Sequence, residues 1–577
     1  MKKLLVYLKG YEKECILAPA FKMLEAIFEL IVPLVMASII DVGIAKRDKS
    51  HVLLMCACLL LLALVGLISS VTAQYFAARA ATEFGSRVRN AVFDKIQKFS
   101  FSQIDRMGTS TLITRMTSDS NQVQTGVNMV LRLFLRSPFI VFGAMLMAFQ
   151  IDVASAWIFA LVIVLLSIVV FGIMLVSIPL YKNVQTALDK VLRVTRDNLT
   201  GVRVIRAFAR EEEEEKIFHQ ENQTFLKSQL FVGKISALMN PLTYVLINIA
   251  LVLLLWTGGH RVNTGAISQG AMVALVNYMS QILVELIKLA NLIVTITKSV
   301  ACGNRIQTIL ETNTDSIYAV KDDIKKTSQA KIRFSNVSLT YERAKEETLS
   351  QITFSLKEGE QLGVIGGTGS GKTSLVHLIP AFYQASKGQV EVDGKDVRDW
   401  DIDRLRSKIG IAMQKAVLFS GTIRENLLWG NEKASDEELW DALSRAQAKD
   451  FVEEKAGGLE AKVEQGGKNF SGGQRQRLTI ARALVKKPEI LILDDSASAL
   501  DYATDAALRK AIGQIKNMTI IIVSQRASSV KNADQILVLD DGKCVGLGDN
   551  DSLLRDCEVY RDIYYSQYKK EKKGGVL

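Results

Sequence analysis

The chain has 577 residues, 49% of them hydrophobic, and a mean hydropathy of +0.18. It is too long for a single core and too apolar for a wholly soluble protein. The net charge of +11 could suggest nucleic acid, but long apolar stretches fill the first 300 or so residues. A basic cytoplasmic membrane face is the simpler source of that charge, and no nucleic-acid partner is expected.

Residues 1–15 begin Met1-Lys2-Lys3, and Lys9, Glu12, Lys13 and Glu14 interrupt the apolar run before any small-residue cleavage site. A short amphipathic helix lying on the lipid bilayer is expected there, not a removable signal. Six apolar segments follow within 16–302, at about 16–42, 52–78, 129–150, 153–180, 241–262 and 270–300. Each reaches the roughly 20 residues that cross a hydrocarbon core. Three connectors are short; the two others run about 50–60 residues. The first long one carries Arg87, Arg89, Lys95, Lys98, Arg106 and Arg115, and the second Lys182, Lys190, Arg193, Arg196, Arg203 and Arg206. Cations resist translocation, so both long connectors and both termini are expected in the cytoplasm. The short connector Lys46-Arg47-Asp48-Lys49 is a weaker signal of opposite sense.

Charges within the spans are costly, about 2.5 kcal/mol or more each, and need a partner or a watery cavity. Glu25 and Glu29 lie one turn apart on the first span, Arg132 and Arg136 on the third, and Glu285 and Lys288 on the sixth. Two readings stand: mutual pairing, or the lining of a cavity that favours cationic compounds. The run Glu211–Glu215 reads as a solvated helix face. The six cysteines, at 15, 56, 58, 302, 544 and 557, lack metal-ligand spacing and are expected reduced.

Residues 303–331 turn polar and suit a linker, and a second domain is expected over 332–577. Strand-like runs Ile332–Phe334 and Val337–Tyr341 open it. The apolar run Leu362–Ile365 then leads into Gly366-Gly367-Thr368-Gly369-Ser370-Gly371-Lys372-Thr373-Ser374. Glycines let successive N–H groups curl around a phosphate, Lys372 reaches the terminal phosphates, and the Thr373 hydroxyl can ligate Mg²⁺. About a hundred residues later comes Phe470-Ser471-Gly472-Gly473-Gln474.

That second segment resembles the signature of the ATP-binding-cassette (ABC) transporters, and the whole chain resembles a half-transporter of the multidrug ABC exporter type. The resemblance implies an α-helical six-span transmembrane domain followed by an α/β ATPase domain that takes ATP and Mg²⁺. It implies that Tyr341 stacks on adenine, and that Gln414 ligates Mg²⁺ and senses the membrane domain. The signature, with Phe470 where Leu is commoner, would precede a helix starting near Gln474 and offer its amides to a γ-phosphate. The buried run Ile490–Leu493 would end in Asp494, which holds Mg²⁺ through water, and Ser498–Asp501 would be the D-loop. Coupling helices would lie within Ser102–Thr117 and Asn198–Phe208.

Two positions depart from the family. After Asp494 the family has Glu, the base that deprotonates the attacking water; this chain has Asp495, one methylene shorter. After the strand Thr519–Val523 the family has Ser-His-Arg; here the sequence is Ser524-Gln525-Arg526, and the four histidines (51, 219, 260 and 377) lie elsewhere. Gln donates a hydrogen bond but neither charges nor relays a proton. Cassettes pair head to tail, each site joining one chain's phosphate loop to the other's signature. The expectation is therefore a heterodimer with a second ABC half-transporter in the bacterial plasma membrane. Its own site would be degenerate, with Asp495 and Gln525 at the altered base and switch positions, and its signature would complete the partner's site. A slow homodimer exporting lipid or peptide is the alternative. The six spans argue against a soluble cassette ATPase. Spans and cassette in one chain argue against an importer, and the short stretch 1–15 before the first span leaves no room for a peptide-processing protease domain. The small-molecule substrate is not read from the sequence.

Overall fold

The computed structural model describes residues 2–313, 330–342, 344–496 and 498–568. They form two compact units, Met1–Gln97 with Ser110–Thr312, and Lys98–Thr109 with Asn313–Leu577. The expected linker at 303–331 falls partly outside the described residues; 303–311 belong to the sixth long helix, which ends at Glu311.

Among the described residues of the first unit, six helical segments are long and apolar enough to cross a membrane. They are Glu12–Ile44, Lys49–Gln97, Thr109–Ile151, Val153–Ala207, Glu211–Asn263 and Gln269–Glu311. The second shows how such a helix sorts its faces. Ser69, Ala73, Ala77, Ala80, Phe84 and Val88 are buried at intervals of three or four residues. Leu53, Leu60, Leu64, Leu67 and Val71 stay exposed, as a face toward lipid requires. Small residues inside let the helix backbones approach closely.

Two local expectations change. Residues Lys2–Leu8 form a 3-10 helix and Glu12 already begins the first span, so no amphipathic α-helix fills 1–15. The Asn198–Phe208 segment forms no separate coupling helix, because the rod Val153–Ala207 runs through it. Thr195, Asn198 and Thr200 there bond to carbonyls one turn back, which lets polar residues continue the helix. The chain reverses at Phe208-Ala209, where Ala209 takes a φ of 51°.

The intramembrane charges pair across spans. Arg136 donates to Glu29 (2.6 Å) and to Glu285 (2.8 Å), with Glu25 at 4.0 Å. Ser137 and Lys288 also bond Glu285, each at 2.8 Å, and Lys22 holds Glu25 at 2.5 Å. Pairing thus describes Glu25, Glu29, Arg136, Glu285 and Lys288; Arg132 takes no part among the described residues. Glu25, Glu29 and Arg136 also border a cleft of about 550 Å³ with aliphatic residues of the first two spans. Removing one partner of a buried pair is costly, about 3–5 kcal/mol. Arg136→Ala, which leaves Glu285, at 2% exposure, to Ser137 and Lys288 and takes the guanidinium from Glu29, is expected to lower the melting temperature of the detergent-extracted protein markedly. Arg132→Ala in the same assay is expected to lower it little.

The second unit is built on a ten-stranded sheet. Five neighbouring strands run parallel in the order Gln535–Asp540, Gln361–Gly366, Thr519–Val523, Ile490–Asp494, Ile409–Ala412. Ile490–Asp494 and Thr519–Val523 are buried at every residue, which explains why they read as unbroken apolar runs and not as alternation. Ile332–Leu339 pairs antiparallel with Leu349–Leu356 and with Lys387–Val392.

The segment Lys98–Thr109 belongs to this unit. Its helix, Phe101–Met107, starts on a Ser100–Gln103 capping box. Phe101 stacks on Phe382 at 4.4 Å, and the Tyr383 hydroxyl donates to Asp105 at 2.5 Å. The stretch expected to contain the first coupling helix, Ser102–Thr117, does hold a short helix: Gly108, at φ 77°, separates Phe101–Met107 from Thr109–Thr114.

Candidate functional site

Four neighbouring parallel strands end on one rim. Val523 is opposite both Val364 and Asp494, and Ala412 is opposite Leu493. Whatever follows these strands is brought together, although it is scattered along the chain from Gly366 to Gln525. The rim gathers the loop after Gly366, Ser524-Gln525, Asp494-Asp495 and Met413-Gln414. The carboxyl ends of such strands are where open α/β sheets hold ligands.

The phosphate loop depends on two glycines in particular. Gly366 has a φ of 158°, and a Cβ there would lie 2.1 Å from the Leu539 carbonyl oxygen. Gly371, at φ 93°, caps the helix Lys372–His377, and a Cβ would meet Leu349 at 2.7 Å. Lys372 Nζ donates to the carbonyls of Gly366 (2.9 Å) and Gly367 (2.5 Å), so the ammonium lies beneath the loop. Burial lowers its pKa. The Tyr341 hydroxyl donates to Ser374 Oγ at 2.9 Å, and the ring packs edge-on to Tyr383 at 5.0 Å.

Thr373 Oγ1 donates to Asp494 Oδ1 at 3.0 Å. Asp494 is 1% exposed, and burial pushes its carboxyl up to about 6, with neighbouring Asp495 adding to the rise. A buried carboxylate beside a hydroxyl, with few positive neighbours, is a hard oxygen donor set that fits a divalent cation such as Mg²⁺. Gln414 Nε2 donates to Asp495 Oδ2 at 3.3 Å. Asp495 takes a φ of 44°, a region Asp and Asn tolerate better than most residues, and its N–H donates to the Val523 carbonyl at 3.0 Å. Gln525 stands on the same rim with an exposed side chain.

Ser471 caps the helix Gly472–Val485, which starts two residues before Gln474. Ser471 Oγ accepts from the Gln474 N–H, and Gln474 Oε1 from the Ser471 N–H, at 3.2 and 3.0 Å. Phe470 is buried in the core with Lys455 over its ring at 4.5 Å, so the larger side chain at this position is accommodated by packing. Asp501 caps the helix Tyr502–Gly513, accepting from the Thr504 N–H and hydroxyl.

Residues 15–286 match the ABC transporter transmembrane region and residues 349–498 match the ABC transporter ATPase family. The uncharacterized ABC transporter ATP-binding protein YfiB of Bacillus subtilis is 35% identical, over 99% of each chain. This chain belongs to the ABC transporters. YgaD of B. subtilis, a proposed multidrug export ATP-binding/permease protein, is 30% identical to this transporter, over 99% of this chain and 98% of its own. An ATP-dependent lipid A-core flippase of Syntrophus aciditrophicus is 30% identical, over 87% and 84%. A bacterial Atm1-family ABC exporter with ATP bound has the same fold, with a TM-score of 0.81 over 97% and 99% of the chains at 21% identity. The transporter is thus an integral membrane protein whose ATPase domain binds ATP and couples its hydrolysis to transport.

One residue on the rim was legible only as a histidine at the wrong place. His377 Nε2 lies 3.8 Å from Asp494 Oδ2, and burial lowers its pKa. Its sequence signal is faint: it follows Lys372 by five positions, on the same short helix.

The Asp494 shift fixes a pH dependence. The folded carboxyl titrates at about 6 against an ordinary 3.8, so between these values the folded state binds more protons than the unfolded chain. Stability therefore falls as pH rises through this window; the penalty is complete above pH 6 and absent below the unfolded value. In chelator, with no nucleotide, Asp494→Asn is expected to raise the melting temperature at pH 7.5 relative to the parent and to lose the advantage near pH 4. An advantage equal at both pH values would assign the effect to something other than this proton.

Proposed function

We propose that this ABC transporter is one subunit of a heterodimeric exporter that expels small amphipathic compounds across the bacterial plasma membrane. Membrane domain (16–302) and ATPase domain (332–577) act as one unit, with the ATPase domain and both termini in the cytoplasm. Its own ATP site is degenerate, and its signature completes the partner's active site. The observation that carries this reading is the pair Asp495 and Gln525 on a rim whose other groups are complete.

In this reading Tyr341 stacks on adenine and the amides of Gly366–Ser374 cradle the phosphates. Lys372 exchanges the Gly366 and Gly367 carbonyls for phosphate oxygens. Thr373, Asp494 (through water) and Gln414 hold Mg²⁺, which neutralises phosphate charge when bound. Asp495 is the weak point: its carboxylate is one methylene short of the family's base, is held by Gln414, and has its pKa raised by burial. A displacement of about 1 Å from productive geometry can cost ~10²-fold in rate. Gln525 can donate to a phosphate oxygen but cannot carry charge. The loop therefore binds nucleotide and turns it over slowly. Phe470–Gln474 and the D-loop Asp501 serve the opposite site, where the partner supplies Glu and His. Closure over two nucleotides drives the outward switch through differential affinity for the closed state.

The multidrug assignment draws support from the relative YgaD. The flippase relative favours the second reading, a slow homodimer that exports lipid or peptide. Native mass spectrometry of the tagged chain, extracted gently from its host membrane, separates the two. A one-to-one mass with a different half-transporter is expected; a clean homodimer would overturn the heterodimer.

A further inference from the structure

The switch loop of this chain is held from outside the nucleotide rim. Helix Glu558–Gln567 ends on Gln567, whose side-chain amide makes two bonds to that loop. Nε2 donates to the Gln525 carbonyl and Oε1 accepts from the Ala527 N–H, both at 2.8 Å. The short helix Ala527–Val530 has no side-chain cap of its own at Arg526. Gln567 thus supplies, from a distant part of the chain, the cap that the local sequence omits.

Between the two clamped groups sits Arg526. Its guanidinium donates to the Leu500 carbonyl at 3.1 Å and approaches the Ser498 carbonyl at 3.4 Å, and it lies 4.8 Å over the Tyr502 ring. Ser524 Oγ accepts from the Arg526 N–H at 3.0 Å and fixes the remaining side of the turn. A continuous path therefore runs from the C-terminal helix through the switch loop to the D-loop.

We infer that Gln567 is a positioning residue for ATP turnover: it fixes the backbone on both sides of Arg526, and Arg526 in turn fixes the D-loop. The amide does this with both of its ends, so no residue with a single polar group can replace it. Gln567 is solvent-exposed. Gln525 is exposed, so cutting Gln567 back leaves that carbonyl to water, whereas the fully buried Ala527 loses a partner for its N–H. Gln567→Glu keeps an acceptor for Ala527 and so separates the geometry of the loop from the cost to folding. This role holds whether the second subunit is the same chain or a different one.

The test is steady-state ATPase kinetics on the whole transporter, purified from its host membrane. For Gln567→Ala, kcat is expected to fall about tenfold, the scale of a small misplacement of reacting groups. KM for ATP should stay within about twofold, because neither Gln567 nor Arg526 belongs to the phosphate loop. Gln567→Glu keeps the acceptor for Ala527 but loses the donor to Gln525, and should give an intermediate kcat. Combining Gln567→Ala with Arg526→Ala should be no worse than Arg526→Ala alone, because both act along one path. An unchanged kcat in Gln567→Ala would overturn the proposal. So would a kcat loss that comes with an equal loss of melting temperature, or effects of the two substitutions that simply multiply.

Discussion

Ser471→Ala will lower ATP turnover of the assembled transporter by about 10²-fold, the usual consequence of losing a preorganised donor to phosphate charge. Lys372→Ala will lower it by less than about threefold, although it removes nucleotide binding at this chain's own loop. The asymmetry follows from the heterodimer proposed above. Ser471 caps the helix Gly472–Val485 through a reciprocal pair with Gln474, and in that reading it acts on the phosphate bound by the partner, whereas Lys372 serves this chain's own loop. Ser471→Ala should leave expression and the melting profile close to the parent, since Ser471 is exposed and loss of a cap costs about 1 kcal/mol; Lys372 is buried and bonded to two loop carbonyls, so the melting profile of Lys372→Ala is measured alongside. Steady-state phosphate release on complexes reconstituted in nanodiscs measures both. Equal losses from the two substitutions would sink the asymmetric assignment and favour two equivalent sites.

The second large effect is a gain. In the proposed heterodimer Ser471→Ala silences the partner's site, and adding Asp495→Glu and Gln525→His to this same chain is then expected to raise turnover by about 10- to 10²-fold over Ser471→Ala alone. Glu restores the reach of the base toward the attacking water, and His restores a group that can carry charge at the γ-phosphate. Position 495 lies in the left-handed region, at φ 44°, which Glu tolerates less well than Asp. Some loss of melting temperature should therefore accompany the gain. Gln414 can follow the longer carboxylate because its bond to Asp495 is a side-chain contact at 3.3 Å. If the triple variant turns over no faster than Ser471→Ala, the slowness of this site lies elsewhere than in these two residues.

The six spans, the phosphate loop, the signature and the two altered positions are all legible in the linear chain, each for a local reason. Apolar length fixes a span, because the bilayer supplies no partners for polar groups. Gly366 and Gly371 are dictated by backbone conformation and close approach, which glycine satisfies, and Lys372 by the charge it brings to the loop. Three of the five parallel strands, at Leu362–Ile365, Ile490–Asp494 and Thr519–Val523, announce themselves as short apolar runs, since strands buried on both faces carry no alternation.

The register of those strands was decided only in three dimensions. It sets Val364, Val523 and Asp494 at one level, and so makes neighbours of Lys372, Gln414, Asp495 and Gln525. Partner choice among the membrane charges was also tertiary: spacing left mutual pairing and cavity lining open, and Arg136 gathers Glu29 and Glu285 from two other spans. Breaks in helices followed the same division. Gly108 could be read from its residue type, but the rod through 198–207 could not, because Thr and Asn satisfy themselves on the carbonyls behind them. His377 beside Asp494 and Gln567 on the switch loop carry no motif at all. Sequence by itself determined the parts and their chemistry, since these depend on residue type and local backbone. Long-range register and packing determined which parts meet, because contacts between side chains far apart in the chain leave no periodic trace in it.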